Sequence, residues 1–190
     1  MKKLKFVLIA LICGTLILGY YLYLANKNND REVSELTEVQ NLIVKDLDKT
    51  YPPTPREVVV VYNSYLEALY NEEYTEEEYE QLVDQIRLLL DDELLEQNSR
   101  ELYVATLEQE IDGYKEKEQT IRYSEVSDST QVQYKTVDDR ECAYVDASYL
   151  LNDSTGKDLT KTYQQYVLRK GESDGRWKIL GFVLTEGESE

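Results

Sequence analysis

Residues 141–151 read ECAYVDASYLL, and the alternation in this stretch decides the fold class. In an extended strand, Ala143, Val145, Ala147, Tyr149 and Leu151 share one face. Cys142, Tyr144, Asp146 and Ser148 share the other. One face is apolar and the other mixed, the pattern of a sheet covered on a single side. The alanines leave room for a helix to pack closely against it.

The same alternation extends outward. Strands are expected at residues 120–127, 131–137, 141–151, 160–170 and 176–184. Turn signals separate them at Asp128-Ser129, Asp138-Asp139, residues 152–157 and residues 171–175. This reads as an antiparallel meander. Upstream the period lengthens to that of a helix. Thr54 is an N-cap, Pro55 suits the first helical position, and Glu57 completes a capping box. The helix that follows places Val58, Tyr62, Tyr65, Leu66 and Leu69 on one face. Thr75 and Glu78 form a second capping box, ahead of a stripe at Tyr79, Leu82, Val83, Ile86, Leu89 and Leu90. Residues 91–98 form a break with room for a short helical turn. Ser99 caps a third helix, with Tyr103, Leu107, Ile111 and Tyr114 on one side. Helices followed by strands give an α+β domain, with the helices segregated on one face of the sheet.

Further upstream, residues 6–24 read FVLIALICGTLILGYYLYL, without a charge. As a helix this run spans ~29 Å, close to the thickness of a bilayer core. Lys2, Lys3 and Lys5 precede it, which places the N-terminus in the cytoplasm and the rest outside. Small residues suited to signal cleavage are missing near its end, so an uncleaved signal-anchor is expected. The organisation expected is a cytoplasmic N-terminus at 1–5, a transmembrane helix at 6–24, a stalk at 25–53, the α+β domain at 54–185 and an acidic tail at 186–190. Tyr51-Pro52-Pro53-Thr54-Pro55 stiffens the end of the stalk.

From Ala25 onward the chain carries 18 basic against 38 acidic residues. Such a surface argues against nucleic acid, since phosphate binding needs Lys and Arg. It keeps a tethered domain soluble. Histidine is absent, which removes the usual general base near neutral pH and the commonest metal ligand. Cys13 and Cys142 are too few for a disulfide framework or a zinc site. No cofactor or metal motif is present. The chain has 17 tyrosines and 2 phenylalanines, a choice that gives apolar area with a hydroxyl attached.

Three stretches carry a family resemblance: TPREVVVVYNSYLEALYNEEYTEEE, VDDRECAYVDASY and KTYQQYVLRKGESDGRWKILGF. They resemble an uncharacterised family of membrane-anchored proteins of Gram-positive bacteria with a nuclear transport factor 2-like, or cystatin-like, domain. The resemblance covers residues 39–184 and implies helices packed on a curved antiparallel sheet that closes into a cone, with Trp177 in the core. It implies no activity, because this fold hosts many unrelated functions.

Candidate residues follow. Asp138-Asp139-Arg140-Glu141 reads as a hairpin turn rather than a cation site. Asp146 lies inside the apolar-leaning central strand, but its phase turns it away from the helices. The acidic runs at 72–73, 76–78 and 91–93 offset helix dipoles and lack the spacing of a calcium loop. The mouth of a cone would be lined by Tyr65, Tyr149 and Tyr163, a ligand-binding set without catalytic or metal-ligating members. The first expectation is a non-catalytic, membrane-tethered extracytoplasmic interaction domain of the cell envelope, not an enzyme. Its partners would be the lipid bilayer through the N-terminal helix and an envelope protein or cell-wall material. The alternatives are a small-ligand pocket and a histidine-free isomerase or dehydratase using Asp146.

Overall fold

Each long helix begins where capping chemistry sets it. The computed structural model describes residues 36–152 and 159–186. Thr37 caps α1 (Glu38–Ile43) in a box completed by Gln40. Thr54 and Glu57 cap α2 (Pro55–Asn71), and Thr75 and Glu78 cap α3 (Glu76–Arg87). Asp91 caps the short α4 (Asp92–Gln97), and Ser99 caps α5 (Arg100–Glu116). The strands are β1 (Thr120–Val126), β2 (Gln133–Val137), β3 (Arg140–Asn152), β4 (Leu159–Lys170) and β5 (Trp177–Thr185). The result is an α+β domain with helices on a curved antiparallel sheet.

The strand order is β1-β3-β4-β5, with β2 also paired to β3. β1 holds the second half of β3 and β2 the first half, so the two lie end to end along one edge. This departs from the expected meander. Asp128 does not reverse the chain. Its carboxylate accepts from the Thr130 amide and starts a single 3₁₀ turn at Ser129–Gln131, after which the chain resumes its direction. The reversal comes at Asp138-Asp139, where both residues have positive φ and form the two-residue turn of a hairpin.

On β3 the apolar face is buried as the alternation required: Ala143, Val145, Ala147, Tyr149 and Leu151 all join the core. α2 covers it with Val58, Val59, Tyr62 and Leu69. α2 also satisfies the outer edge of β1. The Asn71 side chain donates to the Ile121 carbonyl (2.7 Å) and accepts from its amide (2.9 Å). Glu67 accepts from the Ser124 amide at 2.9 Å. These side chains take the place of a further strand and leave less open edge for another chain to pair with. Register shifts at Ile121/Tyr123 and Val167/Leu168 add bulges that bend the sheet.

The choice of tyrosine over phenylalanine now has a reason. Tyr51, Tyr65, Tyr74 and Tyr79 donate their hydroxyls to the carbonyls of Trp177, Leu42, Leu69 and Val104, at 2.7–3.1 Å. Each ring fills the core while its hydroxyl tethers a neighbouring segment.

Residues 37–53, read as the end of a stalk, contribute Val39 and Leu47 to the core. Residues 6–24 and the beginning of that stalk lie outside the described residues, as do residues 153–158 and most of the acidic tail. Among the described residues, no helix is long and apolar enough to cross a membrane.

Candidate functional site

Between α2, α5 and the concave face of the sheet lies a cavity of about 400 Å³. That volume is within the range of small-molecule sites. Its lining includes six tyrosines: Tyr62, Tyr70, Tyr103, Tyr114, Tyr149 and Tyr166. Leu66, Leu94, Leu107, Leu151 and Phe182 line it between them, and Glu110 is the single charged residue of the lining among the described residues.

The helical pattern explains the α5 wall. Tyr103, Leu107 and Tyr114 lie on one stripe, and Glu110 sits on that stripe between them. Only Leu107 and Ile111 of α5 are buried, because the rest of this face borders the cavity or solvent. Sparse packing leaves α5 to be held by polar ties. The Arg100 guanidinium binds Asp84 (2.7 Å) and Glu80 (3.2 Å), and Tyr79 reaches the Val104 carbonyl. At the other side, register sets the sheet wall. Tyr166 stands opposite Val145, and Thr162 opposite Tyr149, so all four share the concave face. A bulge at Leu180 lets Gly181 pair with Val167 and Ile179 with Leu168, which brings Gly181 and Phe182 to the cavity.

The hydroxyls form a directed network. Tyr149 donates to Asn63 Oδ1 at 2.6 Å, and the Tyr149 and Tyr166 oxygens lie 2.5 Å apart. Tyr149 has one proton, already given to Asn63, so Tyr166 donates to Tyr149. Asn63 Nδ2, buried behind this pair, has no partner. Tyr70 donates to Glu110 Oε1 at 2.8 Å, and its ring meets Tyr114 edge-on with centroids 5.0 Å apart. Tyr62 and Tyr166 make a second perpendicular pair at 5.7 Å. Burial pushes the phenols up. Tyr62 and Tyr166 lie well above the ordinary tyrosine value, Tyr149 is pushed up to about 12, and Tyr70 is raised by burial and then by Glu110. All of these phenols are therefore neutral at physiological pH, and none is poised as a base.

Of the tyrosines expected at the cone mouth, the structure brings only Tyr149 to this cavity. Tyr65 is fully buried, with its hydroxyl 3.1 Å from the Leu42 carbonyl, and it ties α1 to α2. Tyr163 pairs with Ser148 and so lies on the opposite face of the sheet from Tyr149. There it borders a second, polar cleft of about 1010 Å³ with Asp146 and Glu125. Asp146 is exposed and accepts from Gln165 Nε2 at 2.9 Å, away from the cavity. Cys142 is free and buried. Among the described residues, no three of Asp, Glu, Cys and His gather to hold a metal ion.

The polar ties below the cavity centre on Asp91. It is 4% exposed at its side chain, and its carboxylate receives the Nε of Arg169 at 3.1 Å, a second contact from Arg169 Nη2, and the Glu93 amide at 3.0 Å. Burial pushes the Asp91 carboxyl up, but these hydrogen bonds outweigh it and hold its pKa below the usual carboxylate value. The pair fixes α4 against β4, and both elements contribute to the cavity wall.

No curated protein matches the chain. One family is shown by sequence: the chain belongs to the family described as Domain of unknown function (DUF6715), whose match spans residues 1–182.

Proposed function

We propose that this chain is a non-catalytic binding domain, tethered to the outer side of the cell membrane, whose small ligand enters the tyrosine-lined cavity. The observation that carries the reading is the cavity itself: about 400 Å³, apolar in most of its lining, with hydroxyls converging from helix and sheet. The neutral phenols and the absence of histidine favour binding over proton transfer. The uncharged run at residues 6–24 and the lysines before it support the tether and its direction. Helices on a curved antiparallel sheet are consistent with a nuclear transport factor 2-like cone, in which such a cavity is the cone's interior. An envelope protein or cell-wall material remains the natural source of the ligand.

Ligand-observed NMR with a mixture of small neutral, cationic and anionic aromatics tests the reading, using the full chain in lipid nanodiscs. Thr162→Trp is the control, because Thr162 stands opposite Tyr149 on the concave face and lines the cavity, so a larger side chain there grows into it. Binding to the native chain that is lost in Thr162→Trp is the expected result. An absence of binding, or binding indifferent to Thr162→Trp, would remove the cavity as the site.

A further inference from the structure

We propose that the cavity selects an organic cation, an ammonium group carried on a small apolar body; the inference rests on the cavity being a binding site. Three features of the lining converge on this class.

The first is charge. Among the described residues, no Lys or Arg lines the cavity, and Glu110 supplies a carboxylate. The guanidinium of Arg87 lies 5.7 Å from the centre of the Tyr103 ring and is held by the Asn98 carbonyl at 3.0 Å. An anionic ligand would meet a carboxylate and no compensating cation. Its desolvation would go unmatched.

The second is ring geometry. Tyr70 with Tyr114, and Tyr62 with Tyr166, meet at 81° and 68°. Each pair forms a corner of perpendicular rings. The negative faces of such rings attract a cation, most strongly where water is excluded. Tyr62, Tyr70 and Tyr166 are all at least nine-tenths buried.

The third is proton bookkeeping. Tyr70 has given its proton to Glu110, and Tyr166 has given its proton to Tyr149. The oxygens of Tyr70 and Tyr166 can therefore only accept. Asn98 Nδ2 gives one of its two protons to the Leu94 carbonyl at 3.0 Å. The donors that remain belong to neutral groups such as Thr162 and Gln164. Rings, acceptors and one carboxylate suit an ammonium group, while Leu107, Leu151 and Phe182 suit its apolar body.

Isothermal titration of the full chain in nanodiscs, with empty discs subtracted, tests this with three probes of one shape: 2-phenylethylammonium, 2-phenylethanol and phenylacetate. The ammonium should bind about tenfold more tightly than the alcohol, and phenylacetate most weakly. Glu110→Gln should weaken the ammonium by up to about fivefold and leave the alcohol unchanged. Glu110 is exposed on α5, so the fold should tolerate this change, and a thermal melt checks it. Equal or tighter binding of the alcohol or of phenylacetate, lost in Thr162→Trp, would overturn the cation preference and leave the binding cavity standing. No binding of any probe would remove both.

Discussion

Replacing Asp91 by Ala should unfold the domain more readily by about 3 kcal/mol, and the structure gives the parts of that figure. The Asp91 carboxylate is nearly inaccessible and takes two hydrogen bonds from Arg169, itself 14% exposed at its side chain. Breaking a buried pair from one side costs about 3–5 kcal/mol, because the remaining charge stays buried. Here the lower end applies, since Arg169 keeps Glu93 at 2.9 Å. Asp91 is also the N-cap of α4, a role worth about 1 kcal/mol that overlaps with the pair. For a domain of this size the change corresponds to roughly 6–12 °C in Tm. Urea denaturation of the native chain, Asp91→Ala, Arg169→Met and the double variant isolates the coupling. The double variant should be more stable than the two separate losses added together, because removing both partners leaves no orphaned charge. The pH dependence has a definite sign. The folded pKa of Asp91 is depressed, so its contribution is complete above the unfolded carboxyl value near about 4 and is lost as pH falls through the lower folded value. The gap between native and Asp91→Ala should therefore close under acid. A loss below about 1 kcal/mol at pH 7, or strict additivity of the two single changes, would refute the role given to this pair.

Gly181→Leu should leave stability unchanged or raise it by about 0.5–1 kcal/mol, since glycine is unfavourable within a strand and the added side chain enters open space; thermal melts measure it. Asp139→Gly should stabilise by about 0.5–1 kcal/mol, because its φ of 61° suits glycine and the hairpin turn before β3 favours it; chemical denaturation should show a higher midpoint with an unchanged slope. Tyr166→Phe should cost about 1 kcal/mol by removing the hydroxyl that donates to Tyr149, with the ring packing intact; loss of the Tyr149 hydroxyl proton's exchange protection by NMR would report the same event.

The elements were largely legible because local chemistry sets them. The capping boxes at Thr54 and Thr75 start their helices where read, and all five residues that alternation on β3 assigns to the core face are buried, with Cys142 and Ser148 of the other face buried as well. Two things were hidden. The first is the direction of the chain at Asp128, where a turn residue starts a 3₁₀ turn instead of a reversal. Composition alone does not separate these outcomes. The second is membership of the cavity. Tyr149 and Tyr163 could be placed together only by ignoring register, since a shift of one residue moves a side chain to the other face. The register that pairs Tyr163 with Ser148 belongs to the long β3–β4 pairing, and the alternation within either strand does not state it. One signal was available: Glu110 interrupts the stripe of Tyr103, Leu107 and Tyr114, and a carboxylate on an apolar helical face marks a boundary with something other than core.

The tyrosines themselves offer the most direct test of a ligand-filled cavity. In the full chain carrying ring-labelled tyrosine, a titration with 2-phenylethylammonium and, separately, with 2-phenylethanol should move the ring signals of Tyr62, Tyr70, Tyr149 and Tyr166. Those of Tyr134 and Tyr163, exposed at β2 and placed on the outer sheet face respectively, should stay fixed. Movement confined to Tyr134 and Tyr163, or no movement at saturating probe, would contradict the cavity as the binding site.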